Sequence, residues 1–131
     1  MAATIPEGVR DLFDEPTLGH VSYLNRRGQI VTFPMWVDFD GEHVLTSSPA
    51  GSRKARSMQQ NPNVSVSIVS TQNPWPWLSI SGRVTNVEPD EGLRFIDGMS
   101  RKYTGAPYER RTPREVFTIE VDRVSSSAAW G

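Results

Sequence analysis

Hydrophobic and polar positions alternate over several short stretches of this chain. From Gln29 to Phe39, Val31, Phe33, Met35, Val37 and Phe39 fall on one side without a break, the period of a strand with a core face. The other side carries Ile30, Thr32, Pro34, Trp36 and Asp38. Pro34 has no N–H for a ladder, so the strand should have an edge, a bulge or a ligand there. Trp36, off the core face, should cover a ligand, a partner subunit or a helix. The same alternation predicts strands over Thr17 to Leu24, Glu42 to Ser47, Val64 to Val69, Trp77 to Val87 and Glu115 to Ser125. In the last, Phe117, Ile119 and Val121 should point inward. Asn25-Arg26-Arg27-Gly28 and Asp38 to Gly41 read as turns, with Gly28 free to take positive φ. Gly82 marks a close approach of backbones. Thr71 to Pro76 and the basic stretch Thr104 to Arg114 read as loops.

Three segments carry helical signals. Pro6 to Asp14 has an N-terminal proline and places Val9, Leu12 and Phe13 on one side. Pro89 to Tyr103 opens with Asp90 and Glu91 and ends with Arg101 and Lys102, the order a helix dipole favours, and Leu93, Ile96 and Met99 should be core. The third runs from Ser52, placed to cap, to Asn61-Pro62, which cannot continue a helix. The sum is about six strands with helices between hairpins. Turns this short exclude parallel crossovers, so a mainly antiparallel sheet closed into a barrel is expected.

At 131 residues one domain over 1–131 is expected, with residues 1–5 flexible. The formal net charge of −1 gives no electrostatic reason to expect nucleic acid. Without cysteine there is no disulfide framework or thiolate metal site, and no His, Asp and Glu cluster has metal-ligand spacing, so no metal is expected. No apolar run has the length of a membrane span, and no signal peptide is recognisable. A soluble cytoplasmic protein that does not engage membranes is the expectation. His20 and His43 lack a base-and-nucleophile context, and there is no GxGxxG or Walker sequence.

The stretch Ser47 to Pro62 stands apart. Arg53, Lys54 and Arg56 crowd the first turn of the third helix with no acid among them. That is the wrong sign for a helix N-terminus unless an external anion sits there. Backbone N–H groups, serine hydroxyls and these cations would converge on a phosphate. A solvated basic face is the alternative, and these residues alone do not decide between the two. An anion site beside an apolar, tryptophan-bearing strand would suit a flat aromatic cofactor with a phosphate tail. The cofactor would then carry the reaction, which accounts for the scarcity of catalytic side chains.

The ordered set of Gly28, Pro34-Met35-Trp36, Asp40-Gly41, Leu45-Thr46-Ser47, Ser52-Arg53-Lys54, Asn61-Pro62, an alternating valine strand and a second tryptophan-bearing strand leading to Gly82 resembles the pyridoxamine 5′-phosphate oxidase-like superfamily of flavin and deazaflavin proteins. The resemblance spans roughly Val21 to Val124. It implies a six-stranded split β-barrel and a homodimer with two cofactor sites at its interface. It further implies that Arg53 and Lys54 bind the phosphate with help from Ser47, Ser48 and Ser52. The ring would lie near Thr32, Pro34, Met35 and Trp36, while Trp77 and Ser79 would serve the partner's site.

The chain stops at Trp130-Gly131 without the arginine- and histidine-bearing C-terminal segment with which pyridoxamine 5′-phosphate oxidases hold their substrate. With its Pro-x-Trp strand and basic helix start it looks more like the deazaflavin-dependent reductases. The resemblance therefore implies coenzyme F420, with its phosphate and polyglutamate tail, and hydride transfer to or from a small conjugated substrate. Arg56, Arg101, Lys102, Arg110, Arg111 and Arg114 could supply cations to the tail, or else be solvated. An FMN-binding oxidase or reductase of the same fold is the alternative. A non-enzymatic cofactor carrier or haem-binding relative is the second alternative.

Overall fold

The computed structural model describes residues 3–73 and 75–129. Six strands form one antiparallel barrel: β1 (Leu18–Leu24), β2 (Ile30–Phe39), β3 (Val44–Pro49), β4 (Asn63–Val69), β5 (Trp77–Pro89) and β6 (Arg114–Ser126). Their order around the barrel is β1-β2-β3-β6-β5-β4, closed by pairing of β4 with β1. The expected fold, a mainly β six-stranded split barrel, is the one observed. Helix α1 (Arg53–Gln60) joins β3 to β4, and helix α2 (Arg94–Thr104) lies between β5 and β6.

The core is the inward face of the strands. Val21, Val37, Val44, Val66, Ile80, Phe117, Ile119 and Val121 are almost wholly buried, as their period-2 pattern demands. The first helical segment is a 3₁₀ turn, Glu7–Phe13, which drives Val9, Leu12 and Phe13 into one end of the barrel. Residues 3–5, expected to be flexible, are tied down. The Ala3 N–H donates to the Val121 carbonyl at 2.7 Å, and Ile5 is buried. Trp130 lies outside the described residues.

The barrel is split at one seam. β2 pairs with β1 along seven positions, from Ile30↔Leu24 to Trp36↔Leu18. It meets β3 only at Val37↔Thr46, Asp38↔Leu45 and Phe39↔Val44. Beyond Thr46, β3 leans away and pairs with β6 alone. The half of β2 that contains Pro34 therefore has a free edge toward β3, which is how a ladder tolerates proline. At the fork the Thr46 hydroxyl donates to the Trp36 carbonyl at 2.9 Å, replacing the lost backbone bond. Phe33 is a consequence and a correction. It belongs to the core face, but it lies beside the open seam and stays 39% exposed.

The segment 89–104 also differs from expectation. Pro89 ends β5, and the run is broken by two left-handed residues, Gly92 (φ 64°) and Leu93 (φ 56°), before α2 begins. Asp90 is the capping residue: its carboxylate accepts from the N–H groups of Phe95 and Ile96, both at 2.9 Å. Ile96 and Met99 are buried, yet they sit outside the main core, over the seam, and Leu93 is only half-buried.

Candidate cofactor cleft

The seam is a cleft of about 250 Å³. One wall is Pro34, Met35 and Trp36 of β2; Ser47 of β3 faces them, and α2 lays Phe95, Ile96 and Met99 across the top. Lys54, Tyr108 and Arg114 complete the lining. Trp36 is held flat on Tyr103 of α2 (centroids 5.0 Å, planes 12° apart) and edge-on to Tyr108 (5.8 Å, 82°). Of the three covers expected for Trp36, a helix is therefore observed. Tyr103 itself is fixed by its hydroxyl, which donates to the Thr17 carbonyl and accepts from the Val37 N–H at 3.3 Å.

The α1 mouth is built as its sequence predicts. Ser52 caps it, accepting from the Ala55 N–H at 3.1 Å, and Asn61 ends it. The buried Ser48 hydroxyl bonds the Ser52 hydroxyl at 2.8 Å, so Ser48 supports the cap from behind rather than facing the cleft. Arg53 is exposed and Lys54 half-buried. The Lys54 ammonium sits 4.7 Å over the Phe33 ring.

Arg114, which the sequence pattern left among six cations, lines this cleft. It is half-buried, its Nε donates to the Ser47 hydroxyl at 2.9 Å, and its guanidinium lies 5.2 Å over the Tyr108 ring. Burial, and then the charge of Arg114, push the Lys54 ammonium below its ordinary value. Burial also lowers Arg114, which keeps its proton regardless. No carboxylate lines the cleft among the described residues. Two crowded, partly desolvated cations with a serine hydroxyl and no acid are the donor set of an anion site, and they fit a phosphate.

Lys54 also belongs to a second depression. A groove of about 720 Å³ runs outward from it, lined by Ser52, Arg53, Arg56, Arg26 and Arg27 together with Tyr23, Val31 and Phe33. It holds five cations and, among the described residues, no acid. Arg56 thus joins the site, and Arg26 and Arg27 of the first hairpin are additions that the sequence analysis did not single out.

The remaining candidates lie elsewhere. Lys102 donates to the Phe13 and Val37 carbonyls at 2.8 and 2.9 Å, a structural task. Arg111 pairs with Asp97 at 2.7 Å, and Arg101 is exposed. Thr32 is on the outer face of β2, bonded to Ser22 at 2.8 Å. Trp77 is half-buried and Ser79 exposed on β5, opposite β2 in the barrel with two strands between them on either side, and neither lines the cleft of its own chain.

The sequence model for pyridoxamine 5′-phosphate oxidase matches residues 5–128, the whole barrel and nearly the whole chain. The chain belongs to the pyridoxamine 5′-phosphate oxidase family. No curated protein matches it. Among solved structures, an F420 reductase is similar at 26% identity, with a TM-score of 0.83 over 92% of this chain and 98% of that one. A conserved hypothetical protein from Mycobacterium tuberculosis follows at 19% identity and TM-score 0.72, over 95% and 85% of the two chains. General Stress Protein 26 from Bacillus anthracis has 16% identity and TM-score 0.69, over 92% and 91%. The last two speak to the fold alone. The family includes flavin- and deazaflavin-type oxidoreductases. No helix among the described residues is long and apolar enough to cross a membrane.

Proposed function

We propose that this family member is an F420-dependent reductase acting on a small conjugated substrate, as a homodimer in the cytoplasm. One observation carries the choice of cofactor. Lys54 is the hinge between an apolar cleft and a long groove of five cations without an acid. A flavin mononucleotide ends at its phosphate and leaves that groove without a ligand. F420 continues past its phosphate into a polyglutamate tail, for which a run of arginines is the matching surface. The similarity to an F420 reductase supports the same choice.

In this arrangement Lys54, Arg114 and Ser47 hold the phosphate, with Arg53 and the Ser52 cap at the helix mouth. Met35 and Trp36 bound the ring on one side, and Phe95, Ile96 and Met99 keep water from the other. The bound deazaflavin would supply the hydride, and this chain's part is to orient the ring and leave one face open. Trp77 and Ser79, remote from the cleft of their own chain, would meet the partner's.

The test is a titration of purified protein with F420, with F420 shortened to a single glutamate, and with FMN. F420 should bind more tightly than FMN. Its advantage should shrink with the shortened tail and with rising salt, as expected for an arginine-lined groove. Tight FMN binding with no response to F420 would transfer the assignment to an FMN oxidase or reductase. Tight binding without turnover on enones or quinones would make the protein a cofactor carrier.

A further inference from the structure

Behind Trp36 and Tyr108 lies a second cavity, of about 470 Å³, that the cleft does not use. Both cavities are lined by these two rings, so they form the partition between them. Trp36 is immobilised by its stack on Tyr103. Tyr108 belongs to the loop that follows α2, and what fixes it is unusual in its economy. The Asp97 carboxylate accepts from the Tyr108 N–H at 3.0 Å and from Arg111 at 2.7 and 3.2 Å. Arg111 in turn donates to the Tyr108 carbonyl at 2.9 Å. Both backbone groups of one residue are thus held by one ion pair. Among the described residues, the hydrogen bonds made by backbone groups of the segment 107–112 all go to Asp97 or Arg111, while the Tyr108 side chain also meets Arg114. The segment leaves α2 at Gly105, whose φ of 82° suits glycine at a turn.

We propose that Asp97 and Arg111 are positioning residues, a latch that holds the Tyr108 ring in the partition and so sets how long a flat substrate the site admits. The proposal rests on the oxidoreductase reading only in calling the guest a substrate. With the latch closed, the space beside the cofactor takes compact conjugated carbonyl compounds. With it open, cleft and cavity join, and a fused-ring compound gains room past Trp36. Arg111 is more than half exposed, and exposed pairs contribute little and weaken in salt, so the closed state is held loosely enough to be overcome.

Two neutral conjugated lactones of different length, bicyclic coumarin and tricyclic psoralen, test this by equilibrium dialysis, without turnover and with or without cofactor. Y108A should bind psoralen at least about tenfold more tightly than the native chain and R111A about threefold to fivefold, the most that loosening an exposed pair allows, with coumarin changed less than about twofold. Y108F, which keeps the ring, should retain the native ratio, whereas the swapped pair D97R/R111D should behave as R111A does, because an arginine at 97 cannot accept from the Tyr108 N–H and a carboxylate at 111 cannot donate to its carbonyl. Circular dichroism checks the fold, and R111K, which loses only the bidentate geometry, should fall between R111A and the native chain. Equal shifts for both lactones, or none, would overturn the latch. If neither F420 nor FMN binds, the proposed function fails while the lactone ratio still decides this point.

Discussion

Lys54 is the residue on which cleft and groove both depend. Its ammonium is partly desolvated and faces Arg114, so an arriving phosphate anion relieves two penalties at once. Lys54→Ala should weaken F420 binding by about 1.5–3 kcal/mol, the scale of a charge-assisted hydrogen bond. Folding should be intact or slightly improved, which thermal unfolding of the cofactor-free protein checks. The depressed ammonium also gives a pH signature. Cofactor affinity should decline as pH rises through the lowered value toward 10.5, because binding the phosphate then requires uptake of a proton. The stability effect has the opposite sign. With its folded value below its unfolded one, Lys54 binds fewer protons when folded across that interval, so its contribution to stability increases with pH there. Lys54→Arg, always charged, should flatten the affinity profile while keeping most of the affinity. Fluorescence titrations between neutral and alkaline pH would show it, and a profile unchanged by Lys54→Arg would remove this lysine from the anion site.

At the level of elements, what the sequence disclosed and what it concealed divide by distance along the chain. Arg53, Lys54 and their serine cap are contiguous, so residue type and helix polarity were enough to mark them. Pro34 in an otherwise regular strand announced the free edge, and the seam opens there. Arg114 and Tyr108 could not be placed the same way. Arg114 reaches Ser47 only because β6 pairs with β3, bringing Arg114 opposite Pro49 across more than sixty residues of chain. A usable signal did exist: Arg114 is the first residue of the strand that must lie beside Ser47 once the barrel closes. Leu93 looked like a core position of a continuous helix because periodicity is blind to the left-handed pair that interrupts it. Gly82 was legible as a close approach, and the geometry is severe. A Cβ there would lie 2.1 Å from the Glu120 carbonyl oxygen, a backbone atom that side-chain repacking does not move. Gly82→Ala should therefore destabilise by roughly 3 kcal/mol or more, or abolish the fold, as read by denaturant unfolding. The same substitution at exposed Gly98, where a Cβ meets nothing within 4 Å, should be tolerated.

For the whole molecule, the outer face of β1, β4 and the loop that follows β4 is unusual for a surface. Leu18, Val69 and Trp75 are exposed by 42, 41 and 54%. Gly19↔Ile68 pairing puts Leu18 and Val69 side by side on neighbouring strands. Around them the same face carries Ser22, Ser67 and Ser79 together with exposed His20, which pairs with Ser67, and half-buried Trp77, which pairs with Val69. Apolar residues on such a face call for a cover. A second copy of the chain is the cover we propose, because Leu18 also lines the cleft, so a partner seated here would lie at the edge of the cofactor site. In a two-fold interface a charge introduced at one position appears twice, facing the same patch of the other copy. Leu18→Asp with Val69→Asp should therefore convert a dimer to a monomer in sedimentation velocity, since a buried, unpaired charge costs about 3–5 kcal/mol. Both positions point away from the core, so the fold should persist by circular dichroism. Cofactor affinity should fall when the dimer is lost, because a partner's contribution to the lining would then be missing, although Lys54 and Arg114 are untouched. A variant that is monomeric yet binds F420 as the native chain does would show that one barrel suffices, and would free Trp77 and Ser79 from any part in the site.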